Sequence, residues 1–116
     1  EMLSQTSTTA HVLPRSSIQA LTAVLMHAQG AVGVDSGLAH LTAACGTASV
    51  SIYGSTSAKL TATMGLNNLA LQTDFACSPC LKRVCDYSGE SDVQPACYQT
   101  LNAAKVWSSL KPLMSV

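Results

Sequence analysis

Val32-Gly33-Val34-Asp35-Ser36-Gly37-Leu38-Ala39-His40 is a short apolar run that breaks at Asp-Ser-Gly and passes at once into helix-forming residues. It reads as a strand, a tight turn and the exposed start of a helix. Such a helix start presents unpaired backbone N–H groups and the positive end of the helix dipole, and glycine lets a ligand approach the backbone closely, so phosphate is the natural guest. Between Arg15 and Lys59 the only formally charged side chain is Asp35. A bare carboxylate repels phosphate, so Asp35 is expected to orient the turn, as helix N-cap or by holding the loop. The Ser36 hydroxyl and the Gly37 and Leu38 amides then face the ligand, with His40 in the first helical turn. The same residues also fit a plain helix cap with no ligand.

Outward from this stretch the chain alternates. Residues 11–13 can end a strand closed by Pro14. Ser16 with Gln19 resembles a capping box, and Ile18, Leu21, Val24, Leu25 and Ala28 keep helical spacing until Gly30. A strand over 31–34, a helix over 38–45 stopped by Gly46, and a strand over 49–53 ended by Gly54 follow. A further strand over 68–72 and a closing helix capped by Asn102 and carrying Val106, Trp107, Leu110 and Leu113 complete the pattern. Helix, strand, helix, strand indicates an α/β fold with a Rossmann-like parallel sheet. Ligands bind such sheets beyond the carboxyl ends of the strands, where Asp35-Ser36-Gly37 and Tyr53-Gly54-Ser55 both fall. Neither G-x-G-x-x-G nor the Walker lysine loop is present, which disfavours dinucleotide oxidoreductases and P-loop hydrolases.

Composition sets outer limits. At 116 residues there is enough chain for one domain with a core, but apolar residues make up 47% and charged residues only 10%. An ordinary soluble domain carries roughly 25% charged residues, so part of the surface is expected to meet more protein. Six basic residues balance six acidic ones and only five residues are aromatic, which argues against a nucleic-acid surface. No apolar run approaches the roughly 20 residues of a membrane helix, and residues 1–5 lack a signal-peptide pattern, so a cytoplasmic location is expected.

Val34-Asp35-Ser36-Gly37-Leu38-Ala39-His40-Leu41-Thr42-Ala43-Ala44 followed by Ser51-Ile52-Tyr53-Gly54-Ser55-Thr56 resembles the signature of the heptosyltransferase family of lipopolysaccharide core biosynthesis. Cys77-Ser78-Pro79-Cys80-Leu81-Lys82-Arg83-Val84-Cys85 and the segment from Cys97 to Leu110 resemble the cysteine-containing tail of some members, so the likeness runs from about His11 onward. The resemblance implies a two-lobed GT-B enzyme, with residues 1–116 forming the later part of the second, nucleotide-binding lobe. Within it, 77–100 would be a cysteine-containing loop and 102–114 the closing helix. It implies inverting transfer of L-glycero-D-manno-heptose from ADP-heptose to the Kdo of lipid A, at the inner membrane surface and without a catalytic metal. Asp35, Ser36, Gly37, Leu38 and His40 would hold the donor's diphosphate and neighbouring sugar. The base would lie in the first lobe, which partners this one, and the adenine and ribose contacts mainly upstream of Glu1, so no catalytic residue falls in this chain and it should not turn over substrate alone.

Two features depart from that pattern. Ser55 and Ala58 stand where relatives usually have proline, and Asn102-Ala103-Ala104 replaces the common Pro-Glu, so the turn beside the ligand crevice is expected to loosen by a few tenths to about 1 kcal/mol. Lys59 lies in that turn, and a lone lysine there is ordinarily solvated. Cys77, Cys80, Cys85 and Cys97 are spaced C-x2-C-x4-C-x11-C, with Cys45 apart in an apolar helix. The spacing leaves free thiols, a metal and disulfides all open. Lys82 and Arg83 beside them are read as surface charges. Two other readings of the whole remain: a cysteine-rich metal-binding module, and a non-catalytic nucleotide-binding remnant.

Overall fold

A computed structural model describes residues 8–114. The residues at positions 1–5, read above for a leader signature, lie outside the described part. Helix α1 spans Ile18–His27, strand β1 Ala31–Val34, helix α2 Gly37–Ala44, strand β2 Ser49–Tyr53, the single-turn helix α3 Ala58–Thr61, and strand β3 Asn68–Gln72. A 3-10 turn over Ala96–Thr100 and helix α4, Ala103–Met114, complete the order. The three strands form one sheet in the order β1-β2-β3, all parallel, with Val34 opposite Ile52 and Tyr53 opposite Gln72. This is the expected Rossmann-like α/β arrangement, and all three strands keep the expected bounds.

Strand alternation divides the layers. Val50 and Ile52 point to α4, where Val50 and Leu110 are buried with Ala48 and are packed by Leu71, Val106 and Leu113. Ser51 points to the other face with its register partner Gly33, whose missing Cβ leaves room for Ala39 of α2. Helix α2 covers β1 and β2 on that face, α1 packs on α2, and α4 crosses all three strands on the opposite one. Gly46 ends the α2 segment with φ +75°, a conformation that suits glycine.

Two local expectations are corrected. Ser17, not Ser16, caps α1 by accepting the Ala20 amide at 3.2 Å, while Ser16 turns its hydroxyl back to the Pro14 carbonyl. Residues 11–13 are not a strand, and Val12 and Leu13 are exposed. A strand requires a ladder partner, and among the described residues none runs beside them. The closing helix follows its expected course, with Asn102 Oδ1 accepting the Lys105 amide at 2.9 Å.

Among the described residues no strand pairs with the outer edge of β1. Beside it a groove of about 420 Å³ runs along Leu25, Val32, Val34, Leu38 and Ser49, and Val32, Val34 and Leu38 are each about half exposed. Ser49 Oγ is buried with no hydrogen-bond partner among the described residues. Parallel strands are ordinarily covered on both faces, and an exposed apolar wall of this kind is in keeping with the low charge content.

Candidate functional site

The site is built where β1 and β2 end side by side. After Val34 the backbone extends through Ser36 and enters α2 at Gly37. Ser36 is the cap: its Oγ accepts the Ala39 amide at 3.4 Å and its carbonyl accepts the His40 amide. The Gly37 and Leu38 amides precede the first intrahelical donor, the His40 amide, so they have no acceptor within the helix and stand at the positive end of its dipole. Both residues are exposed, and a Cβ added to Gly37 would meet nothing within 4 Å. Glycine is therefore not demanded there by packing or by backbone angle.

Asp35 does not cap the helix. Of its two expected tasks it performs the second: Oδ2 accepts a hydrogen bond from Thr61 Oγ1 at 2.9 Å, tying the turn after β1 to α3 beyond β2. The His40 Nε2 stands 3.9 Å from Asp35 Oδ1, with the imidazole about half exposed and the carboxylate mostly covered. Asp35, Ser36, Gly37, Leu38 and His40 thus share one turn and helix start, with Ser36 the cap and Asp35 the tie.

Residues without a local sequence signature hold the second loop. The Tyr53 hydroxyl donates to the Thr61 carbonyl at 3.2 Å and accepts the Thr63 amide at 3.1 Å, while its ring is fully buried. Gln72 Nε2 donates to the carbonyls of Tyr53 and Thr56 and to Ser78 Oγ, and Gln72 Oε1 accepts the Ala58 amide at 2.8 Å. Ser78 Oγ in turn donates to the Gly54 carbonyl at 2.6 Å. The Ala58 bond bears on the expected loosening of the turn: proline has no N–H to donate, so alanine here replaces ring rigidity with a tether to β3. Lys59 is exposed on α3, as expected of a solvated lysine.

Behind this loop lies the cysteine segment. A Cβ at Gly54 would come within 3.0 Å of Cys97 Sγ and the Tyr98 ring, so the strand end and the 3-10 turn touch across a glycine. Burial pushes the Tyr98 phenol up, assisted by Cys97 and Asp35, and burial likewise raises the Cys97 thiol. Lys82 and Asp86 form an exposed ion pair that raises the lysine and lowers the carboxylate. All five cysteines are free thiols, and Cys45 is half-buried in α2's C-terminal cap. Among the described residues no three Cys, His, Asp or Glu side chains stand ready-made as ligands of a metal ion.

Against known proteins, the model of glycosyltransferase family 9 (heptosyltransferase) matches residues 2–90. The chain belongs to that family. It is 35% identical over 114 residues to lipopolysaccharide heptosyltransferase 1 of Pseudomonas aeruginosa, covering 90% of this chain and 32% of that protein. Lipopolysaccharide heptosyltransferase 1 of Salmonella typhimurium is 41% identical over 68 residues, 59% of this chain and 20% of that protein. This family member therefore spans about a third or less of the curated relatives it matches. No solved structure matches. Among the described residues no helix is long and apolar enough to cross a membrane.

Proposed function

We propose that the chain is the later part of the donor-binding lobe of a GT-B heptosyltransferase that moves heptose from ADP-heptose to the Kdo inner core of lipopolysaccharide with inversion. The carrying observation is the pair of amides at Gly37 and Leu38, set at an exposed helix start where a Cβ added to Gly37 would meet nothing within 4 Å. The donor's diphosphate binds there, Ser36 offers its hydroxyl hydrogen, and His40 reaches a diphosphate or sugar oxygen. Asp35 faces away toward Thr61 and keeps the turn in place.

In the reaction the acceptor oxygen forms a bond to the anomeric carbon as the bond from that carbon to the diphosphate breaks. The acceptor proton goes to a base in the other lobe, and the amides take up the charge on departing ADP. The outer edge of β1 and its apolar groove are suited to further strands of the same sheet, supplied with the partner lobe by the upstream part of the protein. The lobe works at the cytoplasmic face of the inner membrane, where the lipid A acceptor is.

The test is a transfer assay on this chain joined to an upstream lobe, with ADP-heptose and Kdo-lipid A, read by mass spectrometry. A lipid product heavier by one heptose, together with free ADP, is expected. Retained ADP binding with no transfer under any acceptor would favour a non-catalytic remnant instead.

A further inference from the structure

Cys77, Cys80, Cys85 and Cys97 come from two separate stretches of chain, yet the fold brings all four to the wall of one cavity of about 60 Å³. Cys45, the fifth cysteine, is elsewhere, at the end of α2. The segment that carries the four runs from the end of β3 to α4 with one 3-10 turn as its only regular element. Residues 81–90 are all exposed. A loop of this length inside a compact domain buries too little apolar surface to order itself and needs another tie. Small domains supply such a tie with a metal or with disulfides.

From this we infer a structural zinc site formed by Cys77, Cys80, Cys85 and Cys97. Four sulfur donors at tetrahedral geometry are the typical closed structural zinc set, and the C-x2-C spacing of the first pair suits one knuckle of it. The cavity is too small for a nucleotide and has room for an ion. Leu81, directly after Cys80, has φ 59° and donates its amide to the Ser55 carbonyl at 2.7 Å. That turn sends the chain back past the cavity toward Cys85. Lys82, Arg83 and Asp86 line the same cavity; with Lys82 paired to Asp86, Arg83 is the cation that offsets part of the net negative charge of zinc held by four thiolates. The thiols ring the cavity without converging as a ligand set, so binding draws them inward, within a loop that has little regular structure to resist it.

The site would also reach the donor loop. Ser78, between the first two cysteines, donates to the Gly54 carbonyl and accepts from Gln72, and Cys97 abuts Gly54. Zinc would thereby fix the wall against which the loop after β2 is braced. This inference stands on the cysteines alone and does not depend on the donor assignment.

The test is to purify the chain under reducing conditions, add zinc sulfate, desalt, and measure metal by plasma mass spectrometry, with cobalt chloride as a spectroscopic replacement. One zinc retained per chain is expected, with the thiolate-to-cobalt charge-transfer band of a tetrahedral site and loss of four reactive thiols that a chelator restores. Cys45→Ser should keep the metal, and Cys80→Ser or Cys85→Ser should lose it. No retained zinc and no cobalt band in the wild-type chain would overturn the site. So would disulfide pairing among these four cysteines under the same reducing conditions, or retention unchanged when all four are serine.

Discussion

Asp35 Oδ2 and Thr61 Oγ1 are 2.9 Å apart, although 26 residues separate them in sequence. The bond joins the turn after β1 to the helix after β2, the two loops that flank the carboxyl end of the sheet. The Ser57 carbonyl, 3.2 Å from Thr61 Oγ1, is a second and longer acceptor for the same hydrogen, so the hydroxyl sits at the junction of the two.

Thr61→Val keeps the shape of the side chain and removes the tie. With a neutral donor on a mostly covered carboxylate, the bond contributes about 1.5 kcal/mol, so ADP should bind about tenfold more weakly. Calorimetric titration of the chain joined to its upstream lobe checks this, with far-UV circular dichroism unchanged.

Tyr53→Phe should destabilise the chain by about 1–3 kcal/mol, because the buried Thr63 amide loses the acceptor it has in the phenol oxygen. The Thr61 carbonyl loses a donor at the same time. Urea unfolding followed by circular dichroism measures the change, with the slope expected to stay constant.

Leu110→Ala opens a cavity between α4 and β2, where Leu110 packs with Val50 and Ala48. A loss of about 2–5 kcal/mol is expected by the same unfolding measurement. Trp107→Ala, by contrast, removes a ring that is more than half exposed and should change stability far less.

Much of this fold could be read from local patterns. The runs at 31–34, 49–53 and 68–72 carry apolar residues and stop at Asp35, Gly54 and Thr73, and the strands end there. Helix ends were harder, because Ser16 and Ser17 are equivalent as letters and only the backbone decides which hydroxyl meets the Ala20 amide. The strand expected at 11–13 failed because pairing is not a local property. For the site, the turn and helix start were legible as a motif. Asp35's partner, the clasp of Gln72 on the loop after Tyr53, and the cavity shared by four cysteines were not, since each joins residues distant in sequence.

Gly37 offers the most direct measurement: ADP binding by the chain joined to its upstream lobe, compared with its Gly37→Asp and Gly37→Ala variants. A carboxylate at a helix start is favourable to the helix itself, and a Cβ there has open space around it, so both variants should fold. The donor assignment expects Gly37→Ala to bind ADP within a few-fold of wild type and Gly37→Asp to lose at least about tenfold, since its charge occupies the phosphate position. If Gly37→Asp binds ADP as tightly as the wild type, the diphosphate does not bind at this helix start and the assignment is wrong.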